Sequence, residues 1–234
     1  MLDYEEKIKK VLFVVGMKPE ATVSEYFQSK DFTYVLCDSE TDFEKHRDRW
    51  DFCFVLFSPS AKENFDTCVK IAQITENVPV KVCIVEKKYM ADERIRALSQ
   101  YYKIVFSDDW CAPVRVLLSI EEVGLIAVSY EDVVRMLQGG SIFELIQESD
   151  RDIQKLNNRV VEQIKNCREK NNITVNSSFL LVEQSAEVGL EEIEYCADNV
   201  LSAGNEEDEI VWNVLFNEKE PDAVKASIVY GIFA

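Results

Sequence analysis

One histidine, His46, in a chain of 234 residues gives a His-based zinc site or a nucleophile–His–acid triad little to work with. It sits in the polar run FEKHRDRWD and reads as a surface helix residue. Glycine and proline are scarce, at seven and five, while hydrophobic residues make up 47%. That combination excludes collagenous and disordered classes and describes a globular protein able to bury a substantial core. Positive charge is short as well: 26 Lys and Arg against 43 Asp and Glu leave a net charge of −17. Such a surface argues against nucleic acid as a partner, because phosphate binding needs basic side chains, and it favours solubility and basic partners. No apolar run nears the roughly 18 residues that a membrane span requires. The N-terminal MLDYEEKIKK carries acids and lacks the apolar core of a signal peptide. The expected compartment is the cytoplasm, with no membrane insertion.

Cysteine is not scarce, but its spacing is uninformative for metal. Cys37, Cys53, Cys68, Cys83, Cys111, Cys167 and Cys196 form no C-x-x-C pair, and their number is odd. Cys37, Cys53 and Cys83 lie inside apolar strand-like runs, where a reduced thiol acts as a small hydrophobe. The expectation is buried structural thiols and no metal.

What is present is an alternation of short apolar runs with helical segments. Lys9–Val15, Tyr34–Cys37, Phe52–Phe57, Val80–Val85 and Lys103–Ser107 read as strands. FCFVLF at 52–57 is apolar throughout, as expected of a strand buried on both faces of a parallel sheet. Helices are predicted over Glu40–Arg49, from about Ser58 to Ile74 with Phe65, Cys68, Val69 and Ala72 on one face, over Ala91–Tyr101, and from about Pro113 to Val123. This strand–helix alternation predicts a parallel, helix-flanked sheet. A joint follows at Val123–Leu137, VGLIAVSYEDVVRML: a loop exposing Ser129–Asp132, then a helix carrying Val133, Val134, Met136 and Leu137.

Beyond the joint the pattern changes. Gly139-Gly140 breaks the chain, and Ser149–Asp152 has the spacing of a helix-start capping box. Ile153, Leu156, Val160, Ile164 and Cys167 mark one face of a long helix, and Phe179–Val182 a strand. Leu190, Ile193, Ala197, Val200 and Leu201 mark a second helix, ending near Gly204. Ile210, Trp212, Val214 and Phe216 alternate, and Val224–Phe233 is read as their antiparallel partner across a turn at 217–222. The acidic run Glu206–Glu209 reads as a solvated turn. The fold class is thus α/β, a parallel-sheet domain over 1–123 followed by an α+β domain over 124–234.

Several strings resemble the FtsZ branch of the tubulin/FtsZ superfamily. GLEEIEYCADNVLSAGNEEDEIVWNVLFNEKEPDAVKASIVYGIF at 189–233 is similar to the family's closing helix and strands, and GLIAVSYEDVVRML at 124–137 to its GLINLDFADVRTVM. FVLFSPSAKENFDTCVKIA at 54–72 aligns without a gap to its nucleotide loop, and VKVCIVEKKYM at 80–90 to the strand after it. The likeness covers most of the chain and thins before Phe52, where the family has a longer segment. It implies a truncated FtsZ/tubulin-like sheet domain followed by the family's C-terminal domain.

The resemblance also implies where function would sit, and those positions differ. Family members hold GTP with a glycine-rich loop, since only glycine lets amides crowd around phosphates. Here the loop is Ser58-Pro59-Ser60-Ala61-Lys62-Glu63-Asn64-Phe65-Asp66, with no glycine. Pro59 has no amide donor, Glu63 and Asp66 add negative charge, and Ser60 with Glu63 has capping-box spacing that would occupy the helix-end donors. The family's other glycine run is replaced by Gly16-Met17-Lys18-Pro19-Glu20. Lys18 or Lys62 could still meet an anion there, although lone lysines are ordinary surface residues. In a family filament the joint loop enters the next subunit's site, where an Asn and two Asp position the attacking water. The matching positions are Ala127, Ser129 and Asp132. Neither Ala nor Ser replaces a carboxylate in polarising water, and Asp132 fits equally a helix start where its charge complements the dipole.

The expectation is therefore a pseudo-GTPase: no cofactor, no catalytic residue, action through protein contacts in a cell-division or cytoskeletal setting. It would modulate or cap a genuine FtsZ filament, or assemble with itself, with the joint as hinge and interface. A divergent nucleotide-binding protein or weak GTPase using a remodelled crevice is the alternative from the enzyme class, and a module for an unrelated partner is a third. Because the sequence closes at Ala234 after the last predicted strand, the family's membrane-docking tail is expected to be missing.

Overall fold

A computed structural model describes residues 10–15, 33–37, 50–59, 62–122, 124–171, 177–184, 189–203, 209–216 and 223–233. His46, the helix predicted over Glu40–Arg49, the cap at Gly204 and Glu206–Asp208 lie outside the described residues. The chain is α/β and divides into two compact units, Met1–Val114 and Arg115–Ala234.

In the first unit, β1 (Lys10–Val15), β2 (Thr33–Cys37), β3 (Phe52–Phe57), β4 (Val80–Val85) and β5 (Lys103–Phe106) stand in the order β2-β1-β3-β4-β5. Every pair is parallel; Phe54 lies beside Val82, and Ile84 beside Val105. β3 is apolar along its length because both its faces are covered: Phe52, Cys53 and Phe54 are fully buried. Helix α1 (Lys62–Ile74) buries Cys68, Ile71 and Ala72. The short α2 (Glu93–Leu98) is capped by Asp92, whose carboxylate accepts from the Arg94 amide. The buried Tyr102 hydroxyl donates to the Cys68 carbonyl at 2.6 Å, tying the chain after α2 to α1. Helix α3 (Cys111–Leu118) starts where Asp109 accepts from the Cys111 amide at 2.9 Å, and the division between the units falls within it.

The second unit begins with a 3-10 turn at Ser119–Glu121, the joint loop and α4 (Tyr130–Gln138). Its sheet runs β6-β9-β7-β8, from β6 (Ile142–Asp150), β7 (Ser177–Gln184), β8 (Glu209–Phe216) and β9 (Val224–Phe233). α5 (Ile153–Asn171) packs on β6, β9 and α6 (Leu190–Ala203). The long-helix stripe is in place, with Leu156, Val160, Ile164 and Cys167 buried.

Three expectations for this half are corrected. First, Ile142–Asp150 is a strand, so Ser149 belongs to β6 and not to a helix start. Asp152 alone caps α5, accepting from the amides of Gln154 at 3.0 Å and Lys155 at 3.2 Å. The IFELI cluster suits either period, and its long antiparallel pairing with β9 decides for strand. Second, β8 and β9 are not neighbours. β9 lies between β6 and β7, antiparallel to both, while β8 runs parallel to β7 after the α6 crossover. Third, the alternation in β8 does not set its burial. Asn213, Val214 and Leu215 are buried, and Phe216 is 50% exposed.

Candidate functional site

The loop after β3 begins with Ser58, half-buried, and Pro59, buried. Ser60, Gly16 and Lys18 lie outside the described residues, so the capping box expected at Ser60 and Glu63 does too. Lys62 and Glu63 start α1 along its backbone, and Asp66 is exposed one turn in. Pro59 removes one backbone donor from the stretch leading to that helix.

The joint loop is defined in more detail. Ala127 is exposed, while Ser129 and Asp132 meet as a reciprocal capping box on α4. The Asp132 amide donates to Ser129 Oγ at 3.2 Å; the Ser129 amide and hydroxyl donate to Asp132 Oδ2 at 3.0 and 2.8 Å. Arg135 Nη2 donates to the other oxygen, Oδ1, at 2.5 Å. Both oxygens of Asp132 are thus held by its own helix end. The Ser129 amide is the main cause that keeps its carboxyl below the usual value, aided by the Ser129 hydroxyl and Arg135 and opposed by partial burial.

The loop is also anchored to the sheet by residues that pattern reading passed over. Asn213 is 1% exposed in the middle of β8. Its Nδ2 donates to the carbonyl of the buried Ser119 at 3.0 Å, and its Oδ1 accepts from the Val214 amide at 2.8 Å. Ser119 Oγ donates in turn to the Val116 carbonyl at 2.7 Å. The Leu125 amide donates to the Val214 carbonyl at 2.9 Å. A Cβ on Gly124 would stand 2.8 Å from that carbonyl oxygen and collide with Asn213, so only glycine fits there. The signal was an asparagine inside the apolar run IVWNVLF, which needs a partner once the strand is buried. A second anchor joins Arg115 on α3 to Glu183 on β7, a carboxylate only 2% exposed. Ser119 and Leu125 are therefore fastened to β8, and Arg115 to β7; Val123 itself lies outside the described residues.

Among the described residues no group of three or more His, Cys, Asp or Glu is placed to hold a metal ion, and no helix is long and apolar enough to cross a membrane. Burial pushes the Cys68 thiol up to about 12 and, with Glu192 nearby, the Cys196 thiol up to about 11. These thiols stay protonated and unreactive at neutral pH.

No protein-family model and no curated protein matches the chain. Solved structures do. An empty FtsZ dimer from M. jannaschii superposes with a TM-score of 0.75 at 13% identity, over 97% of this chain and 89% of that one. A tryptophan-to-tyrosine mutant of FtsZ from the same organism gives 0.72 at 13%, over 97% and 92%. CetZ from Methanosaeta thermophila gives 0.64 at 10%, over 97% and 88%. The chain has the fold of FtsZ and CetZ, and at these identities the likeness is one of fold.

Proposed function

We propose that this FtsZ-like chain acts through protein contacts and without nucleotide, as a modulator or cap of a cytoskeletal filament built from a genuine FtsZ. The observation that carries the reading is the capping box of α4. On the position that the resemblance assigns to water activation, Asp132 spends both oxygens on Ser129 and Arg135, and Ala127 offers no polar group. The glycine-free stretch Ser58–Asp66 supports the same reading from the nucleotide side. A solved relative in fold is an FtsZ dimer, and a scaffold of this kind can keep a contact surface after its chemistry is gone.

The test is co-sedimentation of a genuine FtsZ, with GTP, in the presence and absence of this protein. Co-pelleting or a changed amount of polymer is expected. Neither effect, with no self-assembly by light scattering, would overturn the reading. Calorimetry with GTP, GDP and ATP is expected to show no heat; saturable binding there would establish the divergent nucleotide-binding protein instead.

A further inference from the structure

β8 is the edge of the β6-β9-β7-β8 sheet. Alternate residues of an edge strand turn their N–H and C=O away from the sheet, and such groups template pairing with another chain. Proteins blunt these edges with lysine, proline or bulges. β8, EIVWNVLF, has none of the three and a single charge, Glu209, at its start. Its outward groups at Val214 are nonetheless taken: the amide by Asn213 Oδ1, the carbonyl by the Leu125 amide.

We propose that Ser119, Asn213 and the Gly124–Leu125 segment form an edge guard, a strap that closes β8 against antiparallel pairing with β8 of a second copy of this chain. Each part has a separate task. Gly124 lets the strap approach, Leu125 occupies the Val214 carbonyl, and Asn213 fills the amide while clasping Ser119. The burial of β8 follows the strap. Asn213, Val214 and Leu215 lie beneath it, whereas Ile210, Val211 and Trp212 stay half-buried. Two of the large apolar side chains most exposed among the described residues are Leu125 on the strap, at 46%, and Phe216 at the end of β8, at 50%. A second copy is the occupant that β8 suits. Val214 turns its groups outward, so Trp212 does too, and antiparallel pairing centred on Trp212 sets each Glu209 opposite a Leu215, so the like charges fall at opposite ends of the ladder.

Hydrogen exchange and light scattering test this on the whole chain. In the native protein the Leu125 and Val214 amides should exchange together and slowly; exchange of either at the rate of an open loop overturns the guard whatever the variants do. Gly124→Ala and Asn213→Ala should each speed that exchange about tenfold, the worth of one net hydrogen bond, and raise the dimer fraction. Adding Trp212→Lys should return the mass to the native value while exchange stays fast. Trp212→Lys alone should leave the mass unchanged. Faster exchange with no gain in mass, or association that Trp212→Lys does not reverse, would overturn it.

Discussion

Asp132 and Ser129 illustrate how a loop carboxylate becomes a structural group. Each of their reciprocal bonds satisfies a backbone donor at the start of α4 that no turn of helix can reach. Ser129→Ala and Asp132→Ala should each cost about 1 kcal/mol in urea unfolding, the usual worth of a cap. The folded carboxyl is held below its unfolded value, so its contribution is present above the unfolded pKa and lost as pH falls through the folded one. Asp132→Asn should therefore flatten the acid limb of the stability curve below the ordinary carboxylate range, read by the urea midpoint from pH 6 to pH 3. Arg115 poses the opposite case. Its removal leaves Glu183 nearly buried without that cation, and because Arg115 itself is 40% exposed the loss should be about 2 kcal/mol, below that of a fully buried pair. Arg115→Met in guanidinium unfolding checks this.

Among the elements, β3, β4 and α1 converge their cysteines on one interior. Cys53 and Cys83 are fully buried and Cys68 is 4% exposed. Burial lifts the Cys68 thiol to about 12 and the Cys83 thiol well above its ordinary value, so little thiolate exists at pH 8. Mass-mapped labelling with iodoacetamide should modify the half-buried Cys111 first and reach Cys53, Cys68 and Cys83 only on unfolding. The first-half strands were legible because parallel strands covered on both faces are almost wholly apolar, as FCFVLF is throughout and VKVCIV is but for Lys81. β6 was not, since IFELI fits a helical period as well as a strand. The neighbour of β9 was not legible either: adjacency in sequence favours a β8–β9 hairpin, yet the α6 crossover sends β8 to the far side of β7.

At the scale of the whole molecule, the net charge of −17 works for basic partners and against copies of itself. Binding to a filament through exposed charge should weaken as salt rises from about 50 to 500 mM, where the screening length falls from about 14 to 4 Å. Self-assembly limited by repulsion should instead strengthen. Sedimentation across that range separates the two forms of the proposed function by the sign of the salt effect.

The sequence by itself determined the α/β class, five parallel strands and the helix stripes of α5 and α6, because these are matters of period and residue type. Only the tertiary structure decided the order β6-β9-β7-β8, the exposure of Phe216 and the clasp of Asn213 on Ser119. Residues 119 and 213 are joined by the buried amide of Asn213, which donates to both the carbonyl and the hydroxyl of Ser119 across most of the second unit's length. No local pattern can encode which carbonyl a lone asparagine in a strand will find; that depends on which segment the fold lays along its edge.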